Sequence, residues 1–393
     1  MTASQISLSQ IATKARELGF AKVGFTPITP LERGSNALKS WLGKGFHGTM
    51  AYMAAHGERN DPRKMLAESK GIIVVALPYN RDVVPMPNPS NTLPGVVARY
   101  AQGADYHFVL KEKLITLSDE ISKQFECTVL SRPCVDTAPL LERELAEEAG
   151  VGFIAKSTMT LIPGVGTYTL LGELLIDVHL PPSKPAETKC GDCTTCLDQC
   201  PTNAFLGPYV LDARKCISYL TIESKDPIPR ELRRPIGNRI FGCDICQEVC
   251  PFNASPKDRP GDSALAPFER LQFPALQGLL NMRSGEYRRF VKGTALRRTT
   301  RAQLGRNAAI ALGNSQNKEA IPHLIQALRE NSSALVRGHA AWALGELPSS
   351  ASQKALLESA QSEVNDFVLD EVRSALKTLS MISSEPTEFP LPN

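Results

Sequence analysis

The 393-residue chain is predicted to fold as an N-terminal α/β domain, a compact cysteine-rich domain and a C-terminal array of paired helices. Three observations carry that division. Helix and strand signals alternate through residues 1–183, eight of the ten cysteines fall between Cys190 and Cys250, and an Ala-Leu pair recurs every 32 residues near the C-terminus. With 42% apolar residues, a chain of this length can bury two or three cores.

Within residues 1–183 the elements follow from pattern. An amphipathic helix runs from near Ser7 to a stop at Gly19, and Ala21–Phe25 reads as a strand. Gly71–Leu77 (GIIVVAL) is apolar throughout and largely β-branched, as a strand covered on both faces should be. Tyr106–Phe125 is expected as a helix, Cys127–Leu130 as a short strand, Pro139–Ala149 as a helix closed by Gly150, and Leu170–Leu180 as a strand. The alternation argues for an α/β domain. Pro181, Pro182 and Pro185 mark a linker into residues 184–262, which hold the cysteines, and a basic connecting segment spans 263–303. Residues 304–382 carry Ala311-Leu312-Gly313, Ala343-Leu344-Gly345 and Ala375-Leu376-Lys377, the mark of a small HEAT-like array. Residues 383–393 read as a tail.

Composition narrows the function classes. The N-terminus has no apolar core or cleavage site of a secretory signal, and no run reaches the roughly 18 apolar residues of a membrane span. A soluble, cytoplasmic protein with no membrane partner is expected. Net charge is only +3, so attraction to a polyanion must come from a local patch. In a reducing cytoplasm, clustered thiols point to metal and not to disulfides.

The thiol spacing is specific. Cys190-x2-Cys193-x2-Cys196-x3-Cys200-Pro201 is the bacterial two-cluster ferredoxin run, and Cys243-x2-Cys246-x3-Cys250-Pro251 repeats its end, with Cys216 between. Three closely spaced thiolates reach three corners of one cubane, and the Cys-Pro thiolate then serves the other. The expected sets are Cys190, Cys193, Cys196 and Cys250 on one 4Fe-4S cluster, and Cys200, Cys216, Cys243 and Cys246 on the second. That makes the segment a ferredoxin-like domain with two 4Fe-4S clusters. The competing reading, structural zinc, wants four ligands from two separated pairs and matches this run poorly. Cys127 reads as a small buried apolar residue.

Other segments carry weaker signals. Pro133-Cys134-Val135-Asp136-Thr137-Ala138-Pro139 joins a strand to a helix, where open α/β sheets place ligands. Asp136 is either a proton donor, which would need a pKa raised by burial, or the helix cap, a role Thr137 could also fill. Ala155–Gly166 is a loop of small residues that would let a planar cofactor approach the backbone, or a plain turn. His107, in Asp105-Tyr106-His107, is expected as a pocket residue at a helix start and not as a metal ligand. Arg59 and Arg63 flank Asp61-Pro62 as phosphate clamps or surface charges. Between Arg283 and Arg306, eight cations face one acid, Glu286, a local net charge of +7. With Tyr287 and Phe290 interleaved, this is a nucleic-acid footprint or a solvated helix face.

Taken together, Arg59-Asn60-Asp61-Pro62-Arg63, Tyr100-Ala101, Asp105-Tyr106-His107, Asp136-Thr137-Ala138-Pro139, Glu142-Arg143, the Lys156–Gly166 loop, Leu171-Gly172-Glu173, the cysteine ladder and the Arg306-Asn307-Ala308 start of the repeats resemble the epoxyqueuosine reductase family over nearly the whole chain. The resemblance implies base-off cobalamin in the α/β domain, fed by the two clusters, and reduction of an epoxide-bearing modified guanine at the tRNA wobble position. It implies Asp136 as the proton donor. It implies cobalamin contacts from Arg59, Arg99, Asp136, Ser157, Thr160 and Leu171, and tRNA contacts from Arg297, Arg298 and Arg301. Where relatives often carry lysine, this chain reads Arg298-Thr299-Thr300-Arg301. An external low-potential electron donor and a monomeric state are also expected. The alternatives are a reductive dehalogenase-like corrinoid enzyme and a ferredoxin-type electron carrier without corrinoid.

Overall fold

The computed structural model describes residues 7–54, 59–79, 93–124, 126, 128–187, 190–254 and 261–383. Cys127 and residues 384–393 of the expected tail lie outside the described residues. The N-terminal part is built on a four-stranded sheet. In sheet order its strands are Lys22–Pro27, Gly71–Pro78, Thr169–Ile176 and Ser131–Cys134, and every neighbouring pair is antiparallel. The continuous apolar run of Gly71–Pro78 has the predicted cause, because both faces are covered. Ile73, Val75 and Leu77 pack with Ile11 and Ala15 of helix Leu8–Glu17 and with Leu110, Leu114 and Leu117 of helix Tyr106–Gln124. Ile72, Val74 and Ala76 pack on the other side with Leu145 and Ala146 of helix Glu142–Glu148, and with Ile162 and Val165.

Two expectations shift. The third strand lies at Ser131–Cys134 and not at Cys127–Leu130. Leu130 is 45% exposed and its N–H donates to the Asp177 side chain, so residues 128–130 precede the strand without joining it. Pro133 is tolerated within the strand because it lies at the sheet edge, where no outer neighbour needs its missing N–H. The next helix starts at Glu142, not Pro139, which leaves 135–141 as a loop; Gly150 closes that helix at φ +69°, as expected. Asp136 and Thr137 are therefore not helix caps.

The C-terminal helices are Arg301–Asn314, Ile321–Glu330, Ala334–Gly345, Ser350–Ser362 and Asp366–Ser383. The recurring Ala-Leu-Gly has a packing cause. A Cβ on Gly313 would meet Ala343 at 2.9 Å, and one on Gly345 would meet Ala375 at 2.8 Å. Each glycine thus lets its helix lie directly against the next repeat. In the third copy Lys377 stands at that position.

One apolar core runs from the cysteine-rich segment (Ile217, Leu220, Ile240) through the connecting segment (Leu276, Leu296) into the repeats (Leu304, Leu344, Val372). Polar ties reinforce it. The Arg306 guanidinium donates to the carbonyls of Leu220, Ser224 and Asp226, and Asn307 Nδ2 donates to those of Thr221 and Ile240. Arg306 is 0% exposed, so it does not belong to the basic surface in which the charge count places it.

Candidate functional site

The two cysteine runs fold alike. Thr195–Asp198 and Ile245–Glu248 are single helical turns, 50 residues apart, and they pack against each other. In each, the N–H before the turn's end reaches back identically: Leu197 to Thr194 and Gln247 to Asp244, both at 2.8 Å. Cys216 stands at the start of helix Ile217–Ile222. The eight thiols are unpaired and half-buried. Cys196 lies within electrostatic reach of Cys250, Cys190 and Cys193, and Cys246 of Cys216 and Cys243, with Cys200 next to Cys216. Cys196 and Cys246 also feel each other, so the two groups of four adjoin.

Asp136 sits on the loop leaving the edge strand, with φ +40°. Its carboxylate accepts from the Tyr106 hydroxyl at 2.5 Å and from His107 Nε2 at 3.1 Å. His107 Nδ1 donates in turn to Asp105 at 2.7 Å. Tyr106 and His107 are there because helix Tyr106–Gln124 begins at that point, with its first turn facing the loop. Burial opposes charge on His107, but the carboxylates of Asp105 and Asp136 outweigh it and raise its pKa to about 9. For Asp136, burial pushes the pKa upward, yet the hydrogen bonds from His107 and Tyr106 win and hold it below the ordinary aspartate range. The raised pKa that the donor role was expected to need is therefore not found at Asp136. The side chain is 55% exposed, and two donors stabilise its ionised form. At neutral pH the site's mobile proton rests on His107.

The N-terminal part carries a set of buried, unsatisfied polar atoms around the sheet and the loop that precedes strand Thr169–Ile176. Arg59 Nε, Thr160 Oγ1, Tyr168 OH and Thr169 Oγ1 are buried with no hydrogen-bond partner among the described residues. Buried polar groups of a finished protein are normally paired. Such donors and acceptors fit a ligand rimmed with amides, which is the chemistry of a corrin. Ser157 and Thr160 are buried at the same loop, and Leu171 lies on the same sheet face. The loop is tied to the cysteine ladder: Asn253, just past Cys250-Pro251, accepts from the Thr167 N–H and donates to the Thr167 hydroxyl. Gly166, at φ +104°, leaves room for Asn253, which a Cβ would strike at 2.1 Å. Arg99 is held differently from the others. Its backbone N–H donates to Asp244, and its guanidinium pairs with Glu248 and lies over Tyr168, so it joins the ladder to this face.

Among known proteins, the epoxyqueuosine reductase of Xanthomonas campestris pv. campestris is 40% identical to this chain over 346 residues, covering 86% of this chain and 95% of that protein. This chain belongs to the epoxyqueuosine reductase family. The family model "Epoxyqueuosine reductase QueG, DUF1730" matches residues 59–137, and those for a 4Fe-4S double cluster binding domain and for HEAT repeats match residues 189–253 and 293–377. An epoxyqueuosine reductase solved with an epoxyqueuosine-modified tRNA-Tyr stem loop aligns with a TM-score of 0.86 at 31% identity, covering 95% of this chain and 98% of that one. The Bacillus subtilis enzyme, solved with its catalytic aspartate loop swung out of the active site, aligns with a TM-score of 0.85 at 30% identity over 94% and 98% of the two chains. The cysteine-rich part of this epoxyqueuosine reductase family member is thus a 4Fe-4S double-cluster domain, and its C-terminal helices are HEAT repeats.

The basic segment divides on inspection. Arg283, Arg288, Arg289, Lys292, Arg297 and Arg298 are exposed. Arg301 is half-buried and donates to the Met282 carbonyl. Arg298 pairs with Glu223 at 2.9 Å, lies over the Tyr52 ring, and its charge reaches Asp136. Arg297 acts likewise on Asp105. These two arginines therefore stand at the mouth of the Asp136 site. Arg63, by contrast, is spent on Asp61 at 2.9 Å. Sequence reading left Tyr106, Glu142 and Glu173 without individual roles. Their signal was the unusual placement of a glutamate inside a buried strand and of a tyrosine beside a candidate helix start.

Proposed function

We propose that this chain reduces the epoxide of epoxyqueuosine at the wobble position of tRNA to the alkene of queuosine, the last step of queuosine formation. The observation that carries this reading is Asp136 held between Tyr106 and His107, beside a cradle of unpaired polar groups that is tied to a two-cluster ladder. The balanced reaction takes two electrons and two protons and releases the epoxide oxygen as water. Cysteines 190, 193, 196 and 250 would hold one cluster, and 200, 216, 243 and 246 the other; the chemistry the clusters would supply is one-electron transfer from an external low-potential donor. Residues Arg59, Arg99, Ser157, Thr160 and Leu171, with Asp136, would hold cobalamin, and the chemistry it would supply is two-electron reduction from one-electron sources.

The protein's own contribution is the proton and the placement. Asp136 protonates the departing oxygen, and His107, charged at neutral pH, reloads it across their hydrogen bond. Tyr106 keeps the carboxyl in line. The target base must leave its stack to reach this floor, as single-base chemistry on RNA requires. Arg297, Arg298 and Arg301 hold the flanking phosphates. In this division, residues 1–183 carry the chemistry, 184–262 the electron path, and 263–303 with 304–382 the tRNA surface.

Mass spectrometry of nucleosides from epoxyqueuosine-bearing tRNA, incubated anaerobically with the reduced, cofactor-loaded protein, should show epoxyqueuosine replaced by queuosine. Persistence of the epoxide alongside intact clusters and corrinoid would sink the proposal. In the double variant Arg297→Glu with Arg298→Glu, tRNA binding should weaken and the log–log salt slope should flatten by about two. An unaltered slope would remove this patch from the interface.

A further inference from the structure

The loop bearing Asp136 leaves the edge strand after Cys134, takes a left-handed turn at Asp136 and enters the next helix at Glu142. A non-glycine residue holds such a conformation only when its surroundings impose it. Three contacts hold it here: the side-chain hydrogen bonds from Tyr106 and His107, and the Asp136 N–H, which donates to Glu142 Oε1 at 2.6 Å.

Glu142 has an unusual neighbour. Glu173 lies in the sheet directly across from Cys134, is 0% exposed, and no donor among the described residues reaches either of its oxygens. A carboxylate cannot stay ionised in such a place without a partner. Burial first, and the charge of Glu142 second, push Glu173 up, so it keeps its proton. Glu142 is also raised, by burial and then by Asp136, and the hydrogen bond it shares with Glu173 works the other way. Glu142 already accepts the Asp136 N–H, while no donor among the described residues reaches Glu173, so the proton that the two carboxyl groups share belongs on Glu173. The other groups facing the pair are the Cys134 thiol, which burial pushes up to about 12, and Arg143, whose guanidinium reaches the Thr158 carbonyl at 2.6 Å.

We propose that Glu142 and Glu173 form a latch for the catalytic loop. Glu173 gives its hydroxyl proton in a hydrogen bond to Glu142, which fixes the Glu142 carboxylate under the Asp136 N–H and so aims the Asp136 side chain at the substrate. Both are positioning residues, since neither reaches the reacting atoms. The latch deepens the reading of Asp136 as proton donor and rests on it.

Hydrogen–deuterium exchange on the protein loaded with clusters and cobalamin, without tRNA, tests the latch. In Glu142→Ala, amides of the 135–141 loop should exchange about tenfold faster, with no change in helix Tyr106–Gln124. Glu142→Gln keeps an acceptor oxygen and should restore most of the protection. Glu173→Leu, which fills the buried site but offers no donor, should loosen the loop as Glu142→Ala does, and it serves if that variant fails to fold. In turnover, kcat should fall about tenfold with the KM for tRNA unchanged. Wild-type exchange in both Glu142→Ala and Glu173→Leu would overturn the latch while leaving the proposed reaction untouched. Failure of the wild-type protein to form queuosine would instead remove the reaction while leaving the exchange result standing.

Discussion

Asp136→Asn should lower turnover by about 10²- to 10⁴-fold, the range spanned by loss of a positioned acid, while both clusters and the corrinoid remain bound. Asparagine has nearly the same shape and still accepts from Tyr106 and His107, so the loss isolates the proton. The pH profile gives a second readout. Because the His107 pKa is raised to about 9, the wild-type rate should hold through neutral pH and decline as pH rises through about 9, where the reservoir empties. The same shift bears on stability. The contribution of charged His107 to folding is fully present below its unfolded value of about 6.5 and is lost as pH rises through about 9. In His107→Gln the alkaline limb should move, and turnover at neutral pH should fall less than in Asp136→Asn, since water can reload an exposed carboxylate slowly. Undiminished turnover in Asp136→Asn would pass the donor's role to His107 or Tyr106.

That prediction draws on residues the sequence exposed unevenly. The thiol ladder was legible because cubane geometry is written in local spacing: Cys-x2-Cys-x2-Cys-x3-Cys-Pro needs no knowledge of distant contacts. The repeats were legible for a similar reason, since Gly313 and Gly345 recur wherever one helix must lie against the next. Gly71–Pro78 was found because burial on both faces leaves a continuous apolar run. What escaped depended on long-range partners. Alternation of helix and strand does not say which strands neighbour each other, so the antiparallel order was not accessible. A donor role for Asp136 called for a pKa raised by burial, and the two donors that lower it instead, arriving from a helix thirty positions away, are not visible in local sequence. Arg306 was counted with its neighbours as surface charge, although its side chain ends on three carbonyls of the cluster domain. The pairing of Glu142 with Glu173 likewise needed the fold, which closes the gap between residues far apart in the chain.

The buried arginines also tie the repeats to the segment that carries the cluster cysteines. Arg233 and Glu371 pair through two parallel hydrogen bonds of 2.7 Å each, with both side chains sealed from solvent. Arg233 also donates to the Ile228 carbonyl and lies over the Trp342 ring, while Ile228 donates to His339, which burial and then the charges of Arg233 and Arg306 hold neutral. The pair therefore fastens the last repeat to the stretch of chain between Cys216 and Cys243. Removing one partner strands the other charge in a dry site, so Glu371→Ala should cost about 3–5 kcal/mol in chemical denaturation. Arg233→Met combined with Glu371→Leu should recover much of that, because neither charge then remains to be desolvated. Because Cys216 and Cys243 are ligands of the same cluster in the arrangement proposed above, the single variant should also shed acid-labile sulfide faster than wild type on mild warming, and the double variant should not. If the single variant matched wild type in both denaturation midpoint and sulfide retention, the repeats would be mechanically independent of the clusters. Their role would then reduce to binding tRNA.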